Sequence, residues 1–119
     1  MQTFPMDMTH MPTLDAPASG MWTLQGAIGA ENAATLRLDG EKILRSLDGE
    51  QVRICVDCSR CIARDSSVVS LLLCWLRSAQ KQGGTLRCTG LPPALVDLLT
   101  LYGILELFTA PSQHQVETP

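Results

Sequence analysis

Two strand–helix units in direct succession are the feature that most limits the fold of this chain. The first has a β-rich segment at 52–57 (VRICVD), followed by a strongly apolar helix predicted over 66–82. The second has a predicted strand at 85–89 and a helix that begins at Pro92 and ends at Gly103. Short links between such units favour parallel strands with right-handed crossovers, so we expect an α/β domain.

The N-terminal part is patterned less clearly. Residues 21–25 are a short candidate strand that Gly26 ends. Residues 31–47 carry apolar side chains near helical spacing, although Gly40 weakens that prediction. Residues 1–20 hold several Met and Pro without a period. We therefore predict one domain at 21–110 between flexible tails at 1–20 and 111–119.

Length and charge exclude several classes of protein. A chain of 119 residues is long enough for one domain with one hydrophobic core, but not for two. Its net charge of −3 argues against binding to nucleic acid or to anionic lipid. No export signal is present, and the apolar runs are too short to span a bilayer. We expect a cytoplasmic protein with reduced thiols, whose link to the inner membrane, if it has one, is made through a partner.

The step Asp65-Ser66-Ser67 opens the 66–82 helix. It places two hydroxyls where free backbone N–H groups and the positive end of a helix dipole meet. One interpretation is an ordinary N-cap, because Asp and Ser are favoured capping residues. The other is a partner-contact or switch site, where an added phosphate would be stabilised. The two interpretations are compatible, because one hydroxyl can cap while its neighbour faces a partner.

The sides of the 66–82 helix differ. A main apolar stripe holds Val69, Leu72, Leu73, Leu76 and Ala79. A helical wheel places Leu71 and Cys74 off this stripe, with Trp75 at its edge. These three residues either pack laterally against a neighbouring helix or form an exposed patch that meets a partner. In the following helix, the predicted apolar stripe consists of Leu95, Leu98, Leu99 and Tyr102.

The sequence favours neither a metal site nor an active site. Cys55, Cys58 and Cys61 have CxxCxxC spacing, but a closed zinc site needs four ligands, and both histidines lie in the predicted tails. Cys55 and Cys58 would also point to opposite faces of a strand. No nucleophile–His–carboxylate set or phosphate loop can be assembled. We expect no cofactor and no enzymatic activity.

The C-terminal two-thirds of the domain resembles the STAS family. The resemblance rests on VDCSRCIARDSS, on the helix end LLLCWLRSAQKQGG, on LRCTGLPPALVDLL and on LYGILELF. It implies a mixed sheet of about four strands with helices packed on it. Within the family, SLLLCWLRSAQKQGG and LLTLYGI look most like the small STAS subunit of the Mla phospholipid-transport ABC system.

The resemblance implies two functions. The first is a non-enzymatic accessory subunit that binds the ATPase of an Mla-type ABC system, with partner contacts at Asp65, Ser66, Ser67, Val68, Leu71, Cys74 and Trp75. The alternative is an anti-sigma-factor antagonist that a serine kinase phosphorylates at Ser66. The family has Gly-Leu where this chain has Val68-Val69. We expect Val68 to fill the space that Gly leaves for a kinase, which favours docking over phosphorylation.

Overall fold

The computed structural model describes residues 12–17, 20–47 and 52–109, and these form four strands and four helices. In chain order they are β1 (Thr13–Asp15), β2 (Met21–Ile28), α1 (Ala30–Arg45), β3 (Arg53–Ala63), α2 (Ser67–Lys81), β4 (Thr85–Thr89), α3 (Pro93–Leu101) and α4 (Leu105–Thr109). None of the helices in these ranges has the length and apolarity that a bilayer crossing requires.

The strands form one mixed sheet in the order β1-β2-β3-β4. The strand β1 runs antiparallel to β2, whereas β3 pairs in parallel with both β2 and β4. Parallel neighbours require crossover connections, and α1 and α2 provide them. The predicted α/β class and four-stranded mixed sheet are therefore confirmed.

The helices cover one face of the sheet. Along β2, every second side chain is buried, beginning with Trp22 and Leu24, and the same alternation continues in β4 at Leu86 and Cys88. Side chains that point to the opposite face are half-buried or exposed. The largest fully buried side chains include Trp22 and Trp75, whose rings meet edge to face with centroids 5.4 Å apart.

Two predictions for the N-terminal part are wrong. Residues 13–15 were expected in a tail but form β1, which is too short to show a period and is defined by pairing of Leu14 with Leu24. Strand β2 does not end at Gly26 but continues to Ile28, because pairing with β3 continues past the glycine. Of the predicted tails, residues 1–11, 18–19 and 111–119 lie outside the described residues.

Strand β3 is longer than predicted. It does not end at Asp57 but runs on to Ala63 through the segment that the polar sequence marked as a loop. The register shifts between the pairs Thr23–Asp57 and Gln25–Arg60, so β3 carries one extra residue there. Such a bulge interrupts the alternation of apolar and polar residues, and polar side chains on the open face of the sheet obscure the strand in the sequence.

The bulge gathers three cysteines in the core. Cys55 is half-buried on the other face of the sheet, as the strand geometry predicted, whereas Cys58, Cys61 and Cys88 are buried together. The Cys61 thiol donates a hydrogen bond to the Leu24 carbonyl oxygen at 3.1 Å. A hydrogen bond with Cys58, together with burial, raises the pKa of both the Cys61 and the Cys88 thiols. Cys61 and Cys88 therefore remain protonated thiols that fill the core, and their hydrogen bonds to Cys58 lower the pKa of the Cys58 thiol.

Helices α1 and α2 pack closely at Gly40. This glycine lies in the middle of α1, which runs through the position where the sequence weakened the helix prediction. The Trp75 indole occupies the space beside it, and its N–H donates a hydrogen bond to the Arg37 carbonyl oxygen at 3.2 Å. A side chain at position 40 would separate the two helices, so the glycine serves interhelical packing.

Candidate functional site

The Asp65 carboxylate joins the N-termini of α1 and α2. Its Oδ1 accepts a hydrogen bond from the Ser67 backbone N–H at 2.8 Å, and its Oδ2 accepts one from the Ala30 N–H at 3.1 Å. Each of these groups belongs to the first turn of a helix, where backbone N–H groups have no partner within the helix. One side chain therefore caps two helices and holds their starts side by side.

These hydrogen bonds keep Asp65 ionised. The Ser67 backbone N–H, then the Ser67 hydroxyl and then the Ala30 N–H hold the pKa of the carboxyl below its ordinary value. Arg64 forms an exposed ion pair with Glu31 at 2.8 Å, which makes a second link between this turn and α1. An exposed pair of this kind contributes little to stability, so the carboxylate bridge is the main link.

Ser66 is exposed and makes no capping hydrogen bond. The sequence left open which side chain of Asp65-Ser66-Ser67 caps α2, and the structure assigns the cap to Asp65. The Ser66 hydroxyl therefore faces outward without a structural role in the turn. Ser67 is half-buried. Of the two serines, Ser66 is the more accessible to a partner or a modifying enzyme.

Three of the predicted contact residues are buried. Val68, Leu71 and Trp75 are each no more than 1% exposed, so the expectation of a partner patch at these positions is wrong. Helix α2 is packed against the sheet and also against α1, which covers the side that the helical wheel placed off the main stripe. The alternative that the sequence offered for Leu71 and Trp75, lateral packing against a neighbouring helix, describes them correctly. Cys74 is half-buried.

Two shallow grooves flank the first turns of α2. The groove between α1 and α2 is lined by Ala30, Ala33, Ala34, Arg37, Ser67, Ser70, Leu71 and Cys74. The groove between α2 and the α3–α4 turn is lined by Ser66, Val69, Ser70, Leu73, Tyr102 and Ile104. Ser70 borders both grooves. We call the exposed ridge of Ser66 and Ser70, with the second groove beside it, the α2 docking surface.

Sequence reasoning missed several residues of this surface. Ser70 follows Ser66 by four residues, so helical spacing was sufficient to place both on one face. Tyr102 was predicted in the core stripe of α3, but it is 54% exposed because α3 ends at Leu101 and the chain turns at Gly103. Leu95 and Leu99 of the same stripe are buried as predicted. No local signal indicated that Ile104 would lie beside α2.

The chemistry of the surface suits recognition more than reaction. Near Ser66 it offers hydroxyls, an ionised carboxylate held by backbone N–H groups, and apolar groove walls. Within the described ranges, no three His, Cys, Asp or Glu side chains are grouped as metal ligands would be. A surface with small polar groups beside an apolar groove is a typical setting for contact with another protein.

Comparisons with solved structures show the same fold. The unphosphorylated form of the anti-sigma factor antagonist SpoIIAA matches with a TM-score of 0.67 and 14% identity, over 90% of this chain and 94% of that one. The phosphorylated form of SpoIIAA, described as a Bacillus cell fate determinant, matches with a TM-score of 0.63 and 15% identity, over 90% and 97%. At these identities the likeness concerns the fold.

A sequence search among curated proteins gives no significant match. A family model described as "Mlab, STAS domain" matches residues 15–109, a range that includes every residue of the α2 docking surface. This range covers most of the chain and begins within β1. The chain therefore belongs to the MlaB-type STAS domain family.

Proposed function

We propose that this protein is an accessory subunit that binds the ATPase of an Mla-type phospholipid-transport ABC system through the α2 docking surface. The family match supports the partner class, because its description names MlaB, and the sequence resembles the STAS subunit of the Mla system. The exposed Ser66 at the start of α2, free of any capping role, is the observation that carries the choice of surface. Such a subunit acts through binding energy and would be held at the inner membrane by its partner.

The rigidity of the surface supports a docking role. Asp65 ties the starts of α1 and α2 together, and Trp75 ties their middles through the Arg37 carbonyl. A surface held in its bound shape loses less conformational entropy on association than a flexible one. The partner therefore meets a helix α2 that is already held in place against α1.

A second function is an anti-sigma-factor antagonist controlled by phosphorylation at Ser66. The argument from sequence against it was that Val68 fills the space in front of the serine. In the structure the Val68 side chain is fully buried and points away from the surface, so it does not obstruct Ser66. Two structures of an anti-sigma factor antagonist, one of them phosphorylated, share the fold. This function is therefore kept as a direct competitor.

Purified components distinguish the two functions. The chain is mixed with an Mla-type ATPase subunit and, separately, with an anti-sigma-factor serine kinase and ATP. For each mixture, complex formation is followed by gel filtration, hydrogen exchange by mass spectrometry, and phosphate on Ser66 by peptide mapping. We expect a stable ATPase complex with slowed amide exchange over residues 66–73. Phosphate on Ser66 without an ATPase complex would establish the second function, and the absence of both results would overturn the proposal.

A further inference from the structure

Six large apolar side chains of the described residues are strongly exposed, and three of them lie within one seven-residue stretch of the chain. They are Leu101 at 77%, Tyr102 at 54% and Leu107 at 51%, on α3, the turn after it and α4. The others, Met21, Leu38 and Ile62, belong to three different elements. Single exposed apolar residues are common on protein surfaces, but a cluster usually marks an interaction site.

The charged residues of the segment that carries this cluster are all acidic. All nine Lys and Arg residues of the chain lie between Arg37 and Arg87, so α3, α4 and the turn between them contain none. The same segment carries Asp97 and Glu106, both exposed. Asp97 precedes Leu101 by one helical turn, and Glu106 is adjacent to Leu107. We call these two carboxylates and the three exposed apolar residues the α3–α4 face.

The α3–α4 face is continuous with the apolar groove beside α2. Tyr102 belongs to the face and also lines that groove, opposite Val69 and Leu73. The groove follows α2 from Ser66 to Leu73, a rise of about 10 Å, which is close to two turns of a helix. Arg77 lies one turn beyond Leu73, so cationic character begins only where the groove ends.

We propose that the α3–α4 face and the adjoining groove bind an amphipathic helix of the partner, whose apolar stripe is flanked by Lys or Arg. The apolar side chains and the length of the groove suit helix-in-groove recognition, which uses anchors at i, i+4 and i+7. The two carboxylates select a partner of positive charge. This inference extends the docking role proposed above and names the chemistry of the partner.

A synthetic peptide tests the face without the natural partner. The probe is a labelled 18-residue helical peptide with Leu on one face and Lys on the other. The control peptide has Glu in place of every Lys. Binding to the full chain is measured by fluorescence anisotropy. We expect the Lys peptide to bind at least tenfold more tightly than the Glu peptide, with a difference that shrinks as salt is added.

Matched variants locate the site. Leu101→Asp combined with Leu107→Asp should weaken binding of the Lys peptide at least tenfold, whereas Leu38→Asp on α1, where the leucine is similarly exposed, should leave it unchanged. Thermal melts of each variant confirm that the fold is retained. The inference is wrong if both peptides bind alike or if Leu38→Asp is equally damaging. It is also wrong if wild-type chain dimerises in sedimentation and the Leu101 variant does not, because a second copy would then occupy the face.

The same variants separate this inference from the proposed function. If Ser66→Glu abolishes ATPase binding while the Leu101 and Leu107 variants bind normally, the docking role stands and the inference about the α3–α4 face fails. If the Lys peptide binds as expected but neither the ATPase nor the kinase does, the proposed function fails. The face then remains a site for a basic helix of another protein.

Discussion

Replacing Gly40 with alanine tests how α1 is held against α2. A Cβ atom at this position would lie 2.3 Å from Trp75 Nε1 and 2.5 Å from Trp75 Cε2, far inside contact distance. The indole is fully buried and bonded to the Arg37 carbonyl, so it has no free space into which it can move. The substitution should therefore force the two helices apart and loosen the contact between their N-termini, which Asp65 joins.

Two opposing effects decide whether Gly40→Ala raises or lowers the free energy of unfolding. Alanine favours a helix interior over glycine by about 0.8–1.0 kcal/mol. Overpacking a core costs about 1–3 kcal/mol, and disturbing the indole hydrogen bond costs about 0.5–1.5 kcal/mol more. We expect the costs to exceed the gain, so Gly40→Ala should lower the free energy of unfolding by about 0.5–3.5 kcal/mol.

Urea denaturation measures this change, with an unaltered m-value as the sign that the unfolded state is not affected. The matched control repeats the substitution in a Trp75→Phe background, where the smaller ring leaves room for the methyl group. There Gly40→Ala should be much less costly or should stabilise the helix. If Gly40→Ala instead stabilises the wild-type chain by about 1 kcal/mol, helix propensity alone accounts for the change. That result would refute the reasoning about interhelical packing.

Three further predictions concern the site. Because hydrogen bonds lower the pKa of Asp65, its ionised form stabilises the fold above about pH 4, and acid should remove that stability. As the pH falls below about 4, the urea midpoint of the wild type should fall towards that of Asp65→Asn. The prediction is wrong if the midpoints of the two proteins change in parallel with pH. Leu71→Ala should cost about 2–5 kcal/mol in denaturation, because Leu71 is a core residue. Leu38→Ala, at an exposed position, should stay within about 0.5 kcal/mol. Ser66→Ala should melt at the wild-type temperature because Ser66 does not cap α2, and a clear loss of stability would restore a capping role to Ser66.

The C-terminal elements could be predicted because their sequence signals are local. A Gly-Gly step follows α2, a Pro-Pro step opens α3, and Gly103 with a φ of 72° ends it. Each of these signals acts through the backbone of the same segment, so one sequence contains all the information needed. The mixed sheet followed from the resemblance to the STAS family and from the order of the elements.

Most of the errors depend on contacts between distant segments. The bulge in β3 is visible only in its register against β2. The burial of Leu71 and Trp75 depends on where α1 packs, and the link from Asp65 to the start of α1 depends on Ala30, 35 residues away in sequence. Tyr102 matched the α3 stripe in period but lies beyond the end of that helix.

The most direct test of the docking role is the dissociation constant of the ATPase complex for Ser66→Glu. The helix dipole favours the added charge by about 0.3–1 kcal/mol, so the variant should keep its fold. At an interface the same charge is desolvated beside the ionised Asp65, and such a like-charge juxtaposition costs several kcal/mol. We predict at least tenfold weaker binding, while Thr35→Glu, on an exposed position of α1, binds as the wild type does. Wild-type affinity for Ser66→Glu would show that the start of α2 does not contact the ATPase.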